Sequence, residues 1–249
     1  MSLIDHLDEL RRVLVHSLVA ATVAIVLAWF WSGQMLDLLV RPVKEFGVYF
    51  TAPNEAFLIR MKLSAIAGLF LVLPFILFRI YGFVLPGLYG RERRLVTPLL
   101  LATTLLFYTG VAFCFLVVVP LVVRFMLSFG TSVMQPLLSI GPYFDFVARM
   151  CLAFGLIFEL PILVFLLSAI GIVNPRWLLR SWRWALVIIF TVSAILTPPD
   201  ALSQCAMAIP VSLLYISSVL VAILATRGRE RRRRAEDAAA AAAREMPEP

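Results

Sequence analysis

Six apolar stretches in series, residues 13–32, 63–83, 95–123, 150–173, 184–196 and 201–226, limit what this chain can fold into more than any other feature. About 20 such residues cross a hydrocarbon core roughly 30 Å thick, and a backbone in lipid must satisfy its own hydrogen bonds, which makes each stretch a helix. Hydrophobic residues make up 62% of the 249 and charged ones only 15%, far from the soluble balance of about 45–50% and 25%. The expected fold is therefore an all-α integral membrane protein with six transmembrane helices. The first stretch lacks a small-x-small cleavage site and is a permanent span rather than a signal peptide. Spans five and six are the short ones: the fifth has only 13 residues before Thr197-Pro198-Pro199-Asp200, and the sixth has Pro210 inside it.

The remaining segments read as connections. Residues 33–61 form a long first loop, 124–149 the third, and the uncharged third span is long enough to tilt or to extend past the hydrocarbon. Residues 227–249, arginine-rich and then alanine-rich, read as a basic, largely disordered tail on a membrane domain of residues 1–226. Of the 22 Lys and Arg, 16 fall on the side of the N-terminus, the even loops and the tail, against 6 on the other. The positive-inside rule then places both termini in the cytoplasm.

Motifs exclude most chemistry. The chain has no G-x-S-x-G, H-E-x-x-H or P-loop pattern, so no catalytic residue is expected. His6 and His16 lack partners at metal-ligand spacing, and Cys114, Cys151 and Cys205 read as small core residues, so neither metal nor cofactor is expected. Energy for any transport work must come from a partner or an ion gradient.

Acidic residues remain as candidates. Leu3, Ile4, Leu7 and Leu10 recur at helical spacing, so residues 1–12 form an amphipathic helix at the cytoplasmic surface. Asp5, Asp8 and Glu9 outnumber Arg11 and Arg12 there, although anionic lipids favour basic segments. In the second loop Glu92 stands among Arg91, Arg93 and Arg94. It either neutralises them or, together with Glu9, offers carboxylates that accept guanidinium bidentately. Glu159 lies inside span four, where a charge is costly enough that it faces a cavity or partner, or is protonated. Pro161, two residues later, frees the carbonyl of Ile157 and predicts a kink. A proton-coupled carrier would use Glu159 as its protonation site, but no internal repeat supports that class. A lipid-bound scaffold would use the basic tail.

The stretches HLDELRR (6–12), FVLPGLYGRERR (83–94), AFGLIFELP (153–161) and LTPPDALSQ (196–204), with Pro42 in the first loop, occur in the order found in one family. Over residues 1–226 the chain resembles TatC, the multispanning receptor subunit of the twin-arginine protein translocase. The resemblance implies a concave, glove-like helix arrangement in the bacterial cytoplasmic (inner) membrane, and export of folded proteins driven by the proton-motive force. It implies signal-peptide binding by Glu9 and Glu92, with Leu10, Arg11, Phe83, Pro86, Leu88, Tyr89 and Arg94 as neighbours. It makes Glu159, with Thr197, a polar site for single-span TatA and TatB type subunits, and Pro42, Asp200 and Gln204 structural residues of the outer face. Partners would be paired-arginine signal peptides, those subunits, further copies of the chain and anionic lipids, but no nucleic acid.

Overall fold

The computed structural model describes residues 3–84, 93–130, 137–169, 173–197 and 200–245, almost all of them helical. Among these, Leu7–Phe30, Glu55–Arg79, Pro98–Leu127, Ile140–Ser168 and Ala201–Leu224 are apolar and long enough to cross a membrane, and Trp182–Leu196 is a shorter apolar helix. Leu14, Leu18, Val26 and Phe30 are each more than half exposed, the pattern of a surface solvated by lipid. The chain falls into two compact units, Met1–Gly155 and Leu156–Pro249.

In the first unit, α1 (Leu3–Phe30) is followed after Trp31 by α2 (Ser32–Val40), a 3₁₀ turn (Arg41–Phe46) and a short strand β1 (Val48–Tyr49). Gly47, with φ 70°, makes the left-handed turn between the last two. Then come α3 (Glu55–Val84) and α4 (Arg93–Phe113), the latter continued by a π-helical turn (Cys114–Val118) and α5 (Val119–Leu127). Pro120 explains the π turn, because it cannot donate to the carbonyl of Leu116. Strand β2 (Leu138–Ser139) pairs in parallel with β1, and α6 (Ile140–Ile157) follows.

Helix α1 lies antiparallel against α3. Trp29 meets Phe57 edge-on at 5.8 Å, Ser32 Oγ accepts from Arg60 at 2.9 and 3.0 Å, and His16 Nδ1 is 3.3 Å from Arg79 Nη2. Gly68 permits the approach, since a Cβ there would sit 2.6 Å from the backbone of Ile25; with Ala24 and Ala28 buried on the facing stripe, this is small-residue packing of the membrane kind. Pro74 lies inside α3 without interrupting it. It leaves the carbonyl of Phe70 without its helical donor, and the hydroxyl of Tyr108 on α4 supplies one at 2.8 Å.

The second unit holds α7 (Leu160–Ala169), α8 (Pro175–Arg180), α9 (Trp182–Leu196) and α10 (Ala201–Glu245), with α7, α8 and α9 all packed on α10. Tyr215 donates to the carbonyl of Leu178 at 2.8 Å, fixing α10 to α8.

Several sequence expectations need correction. The third loop is shorter than residues 124–149, because α6 begins at Ile140 and already contains Asp145 and Arg149; two charges hid a helix whose other face is apolar. The first loop is largely ordered as α2, the 3₁₀ turn and the start of α3. Residues 3–12 are not a separate helix but the first turns of α1. The tail, expected to be largely disordered, continues α10 as helix to Glu245, in keeping with the high helix propensity of alanine, arginine and glutamate. Cys114 and Cys151 are buried as expected, but Cys205 is exposed.

Candidate functional site

The register of the first unit decides which ends of its helices lie together. From the His16–Arg79 contact, Glu9 is seven residues back along α1, about 10 Å, and Val84 is five residues on along α3, about 7 Å in the same direction. From the Tyr108–Phe70 bond, Val84 is 14 residues on, about 21 Å, and Arg93 is 15 residues back along α4, about 22 Å. The far end of that helix, α5, meets the 3₁₀ turn at the opposite end of the unit, so α4 also runs antiparallel to α3. Glu9, Val84 and Arg93 therefore lie at one level.

At this end Glu9 is half-buried, while Leu10 and Arg11 are exposed. Phe83 is in the last turn of α3 and Arg94 in the first turn of α4. Pro86, Leu88, Tyr89 and Glu92 lie outside the described residues. The two helix ends flanking them, Val84 and Arg93, are the level partners of Glu9.

The opposite end of the unit is a polar clasp that sequence reasoning missed. Glu55, the first residue of α3, accepts from Thr51 N–H at 2.5 Å, Thr51 Oγ1 at 2.8 Å and Ala52 N–H at 3.4 Å. Its other oxygen accepts from Ser139 Oγ at 3.2 Å and Gly141 N–H at 2.9 Å. One carboxylate thus ties the first loop, β2 and the start of α6 to α3. Lys62 and Asp145 form an ion pair at 3.0 Å, and Tyr143 donates to the carbonyl of Leu39 at 2.9 Å. Pro42 is half-buried in the 3₁₀ turn at this end. The available sequence signal was a lone carboxylate directly preceding an apolar run; its partners Ser139 and Gly141, more than 80 positions away, carried none.

In the second unit, Glu159 is half-buried in the two-residue break before α7, and its carbonyl accepts the first helical bonds of that helix, from Ile162 at 3.1 Å and Leu163 at 2.9 Å. The interruption predicted from Pro161 is present. Thr197 is buried at the end of α9, where its hydroxyl donates to its own helix at the carbonyl of Ser193, 2.8 Å away. Asp200 caps α10 by accepting from Ser203 N–H at 2.7 Å. Gln204 reaches back to the carbonyl of Phe190 at 3.0 Å, so these two residues fasten the hairpin between α9 and α10. Among the described residues no cluster of His, Cys, Asp and Glu is arranged to hold a metal ion.

Comparisons with known proteins agree with this architecture. Residues 5–210 match the family model described as Sec-independent protein translocase protein (TatC). The TatC protein of Koribacter versatilis is 36% identical over 241 residues, covering 93% of this chain and 89% of that one. That of Aquifex aeolicus is 34% identical over 236 residues, covering 92% and 98%. A crystal structure of the twin arginine translocase receptor TatC superposes with a TM-score of 0.79 at 34% identity, over 89% of this chain and 99% of that one. A second, in DDM, gives 0.80, over 87% and 99%. A matching family model, relatives aligned along nearly their whole length and a shared fold lead to one conclusion: the chain belongs to the TatC family and is a protein-transport subunit, not an enzyme.

Proposed function

We propose that this chain is the receptor subunit of a twin-arginine translocase, binding paired-arginine signal peptides through Glu9 and Glu92. The observation that carries this reading is the level placement of Glu9 with the two helix ends, Val84 and Arg93, that flank the segment containing Glu92. Two carboxylates rooted on separate elements can each take one guanidinium in a planar two-bond fork, whereas an ammonium cannot, so lysine pairs bind worse. Leu10, Arg11, Phe83, Pro86, Leu88, Tyr89 and Arg94 surround the pair and discriminate against isolated cations.

In this reading all six apolar helices cross the bacterial inner membrane, and the Glu9 end is cytoplasmic, as are both termini. The Lys and Arg bias of 16 against 6 supports that orientation. Glu159, at the break before α7, and Thr197 form the polar site for the single-span TatA and TatB type subunits. Several copies assemble, and the proton-motive force drives export of folded cargo. Asp200, Gln204 and Pro42 stabilise the outer face.

Photocrosslinkers at positions 9 and 92 test the receptor role. Both should label a signal peptide bearing Arg-Arg and label a Lys-Lys version weakly, and Glu92→Gln should abolish export while membrane insertion is unchanged. Normal export by Glu92→Gln, or labelling indifferent to Lys-Lys, would remove these carboxylates from the site.

A further inference from the structure

Arg79 is a guanidinium inside a membrane-spanning helix, five residues from the end of α3, and the folded chain gives it no acceptor among the described residues. Its Nε is buried without a hydrogen-bond partner. Its Nη2 faces His16 Nδ1 at 3.3 Å, but that nitrogen lies 2.6 Å from the carbonyl of Arg12. A ring nitrogen that donates to a carbonyl cannot also accept from arginine. Next along α1, Ser17 lies on the buried stripe with Val13 and Ala24, and its hydroxyl is likewise buried without a partner. The ion pair between Lys62 and Asp145 belongs to the other end of the unit, and no ion pair of Arg79 is found among the residues whose side chains are described.

A guanidinium at this depth is costly unless an anion, a carbonyl or water solvates it. Arg79 is about 7 Å from the helix end, within snorkelling reach of the headgroup layer, where phosphate is the abundant anion and matches the arginine fork. Residues 3–16 and 79–94 carry six arginines against four carboxylates, so the surroundings attract a net negative ligand. We infer that Arg79, with Ser17, forms a site for the phosphodiester of a glycerophospholipid at the Glu9 end of the α1–α3 pair, preferring an anionic headgroup.

The test uses the purified full-length chain in detergent with photoactivatable phosphatidylglycerol, phosphatidylcholine or diacylglycerol, followed by peptide mapping. Phosphatidylglycerol should label peptides containing residues 12–20 and 75–83 most strongly, phosphatidylcholine less and diacylglycerol least. R79Q should lower that labelling by about tenfold and R79K by less, since an ammonium keeps the charge but loses the fork. Deleting residues 227–249 should leave it unchanged, which separates this site from lipid held by the basic tail. Equal labelling by diacylglycerol, or full labelling of R79Q, would overturn the proposal. So would labelling that emerges only in E92Q, because the internal carboxylate would then be the occupant. No signal peptide is present, so the result is independent of the receptor reading.

Discussion

Replacing Tyr108 with phenylalanine isolates one hydrogen bond whose value depends on a proline 34 positions away. The hydroxyl donates to the carbonyl of Phe70 at 2.8 Å, and that carbonyl is available because Pro74 lacks the N–H that would otherwise bind it. Interhelical hydrogen bonds in membranes average about 0.6 kcal/mol and reach about 1.7. The upper part of that range, about 1–1.7 kcal/mol, applies here because the freed carbonyl has no helical donor to fall back on. The ring itself is retained, along with its edge contact to Phe107 at 5.9 Å, so little packing is lost. Pro74→Ala restores the N–H, and in that background Tyr108→Phe should cost less than about 0.5 kcal/mol, giving a coupling near 1 kcal/mol. Equilibrium unfolding in mixed micelles of the four variants measures the cycle. An equal cost of Tyr108→Phe in both backgrounds would show that the hydroxyl does not repair the proline defect.

Gly68→Ala should destabilise by about 1–3 kcal/mol, because its Cβ would lie 2.6 Å from Cα and N of Ile25 and must push α1 away; thermal unfolding in detergent reads this. Adding Ile25→Ala should not rescue the variant, since the clash is with backbone, and a rescue would refute that account. Glu55→Ala removes the acceptor shared by Thr51, Ala52, Ser139 and Gly141, so hydrogen exchange of the amides of Thr51 and Gly141 should accelerate by about tenfold or more. Unchanged exchange there would mean that the clasp is held by other contacts. Helix α9, with 15 residues, is about 22 Å long against a core of roughly 30 Å. If the local thinning it imposes assists passage of cargo, inserting four leucines should reduce export of a paired-arginine reporter; export at the parental rate would argue against thinning.

What could be read from the sequence is what a bilayer demands locally. A span must be long and apolar, so the helices stood out; the capping role of Asp200, whose carboxylate serves the helix starting one residue later, was not read, since the resemblance marked it only as an outer-face residue. The level placement of Glu9 with the ends of α3 and α4 follows from antiparallel neighbours, a consequence of alternating spans. Glu55 was illegible for the opposite reason. Its acceptor role depends on Ser139 and Gly141, brought over by the parallel pairing of β1 with β2, and nothing near residue 55 announces strands of two residues. Lys62 and Asp145 are 83 positions apart, and each alone reads as a charge at a span boundary.

The two prolines at mid-span show where local reading ends. Pro74 and Pro161 each free a carbonyl four residues earlier, yet α3 runs unbroken through Pro74 whereas the helix stops at Ile157 and restarts at Leu160. At Pro74 a tyrosine from the adjacent helix donates to the freed carbonyl, so the helix retains its path and the register that carries Val84 to the level of Glu9. At Pro161 the helix is interrupted instead, and the half-buried residue in that break is Glu159, whose carbonyl starts the next helix. At these two prolines the helix is tethered or broken according to whether a neighbour brings a hydroxyl. In this chain the tether serves the end bearing Glu9, and the break creates the setting for Glu159.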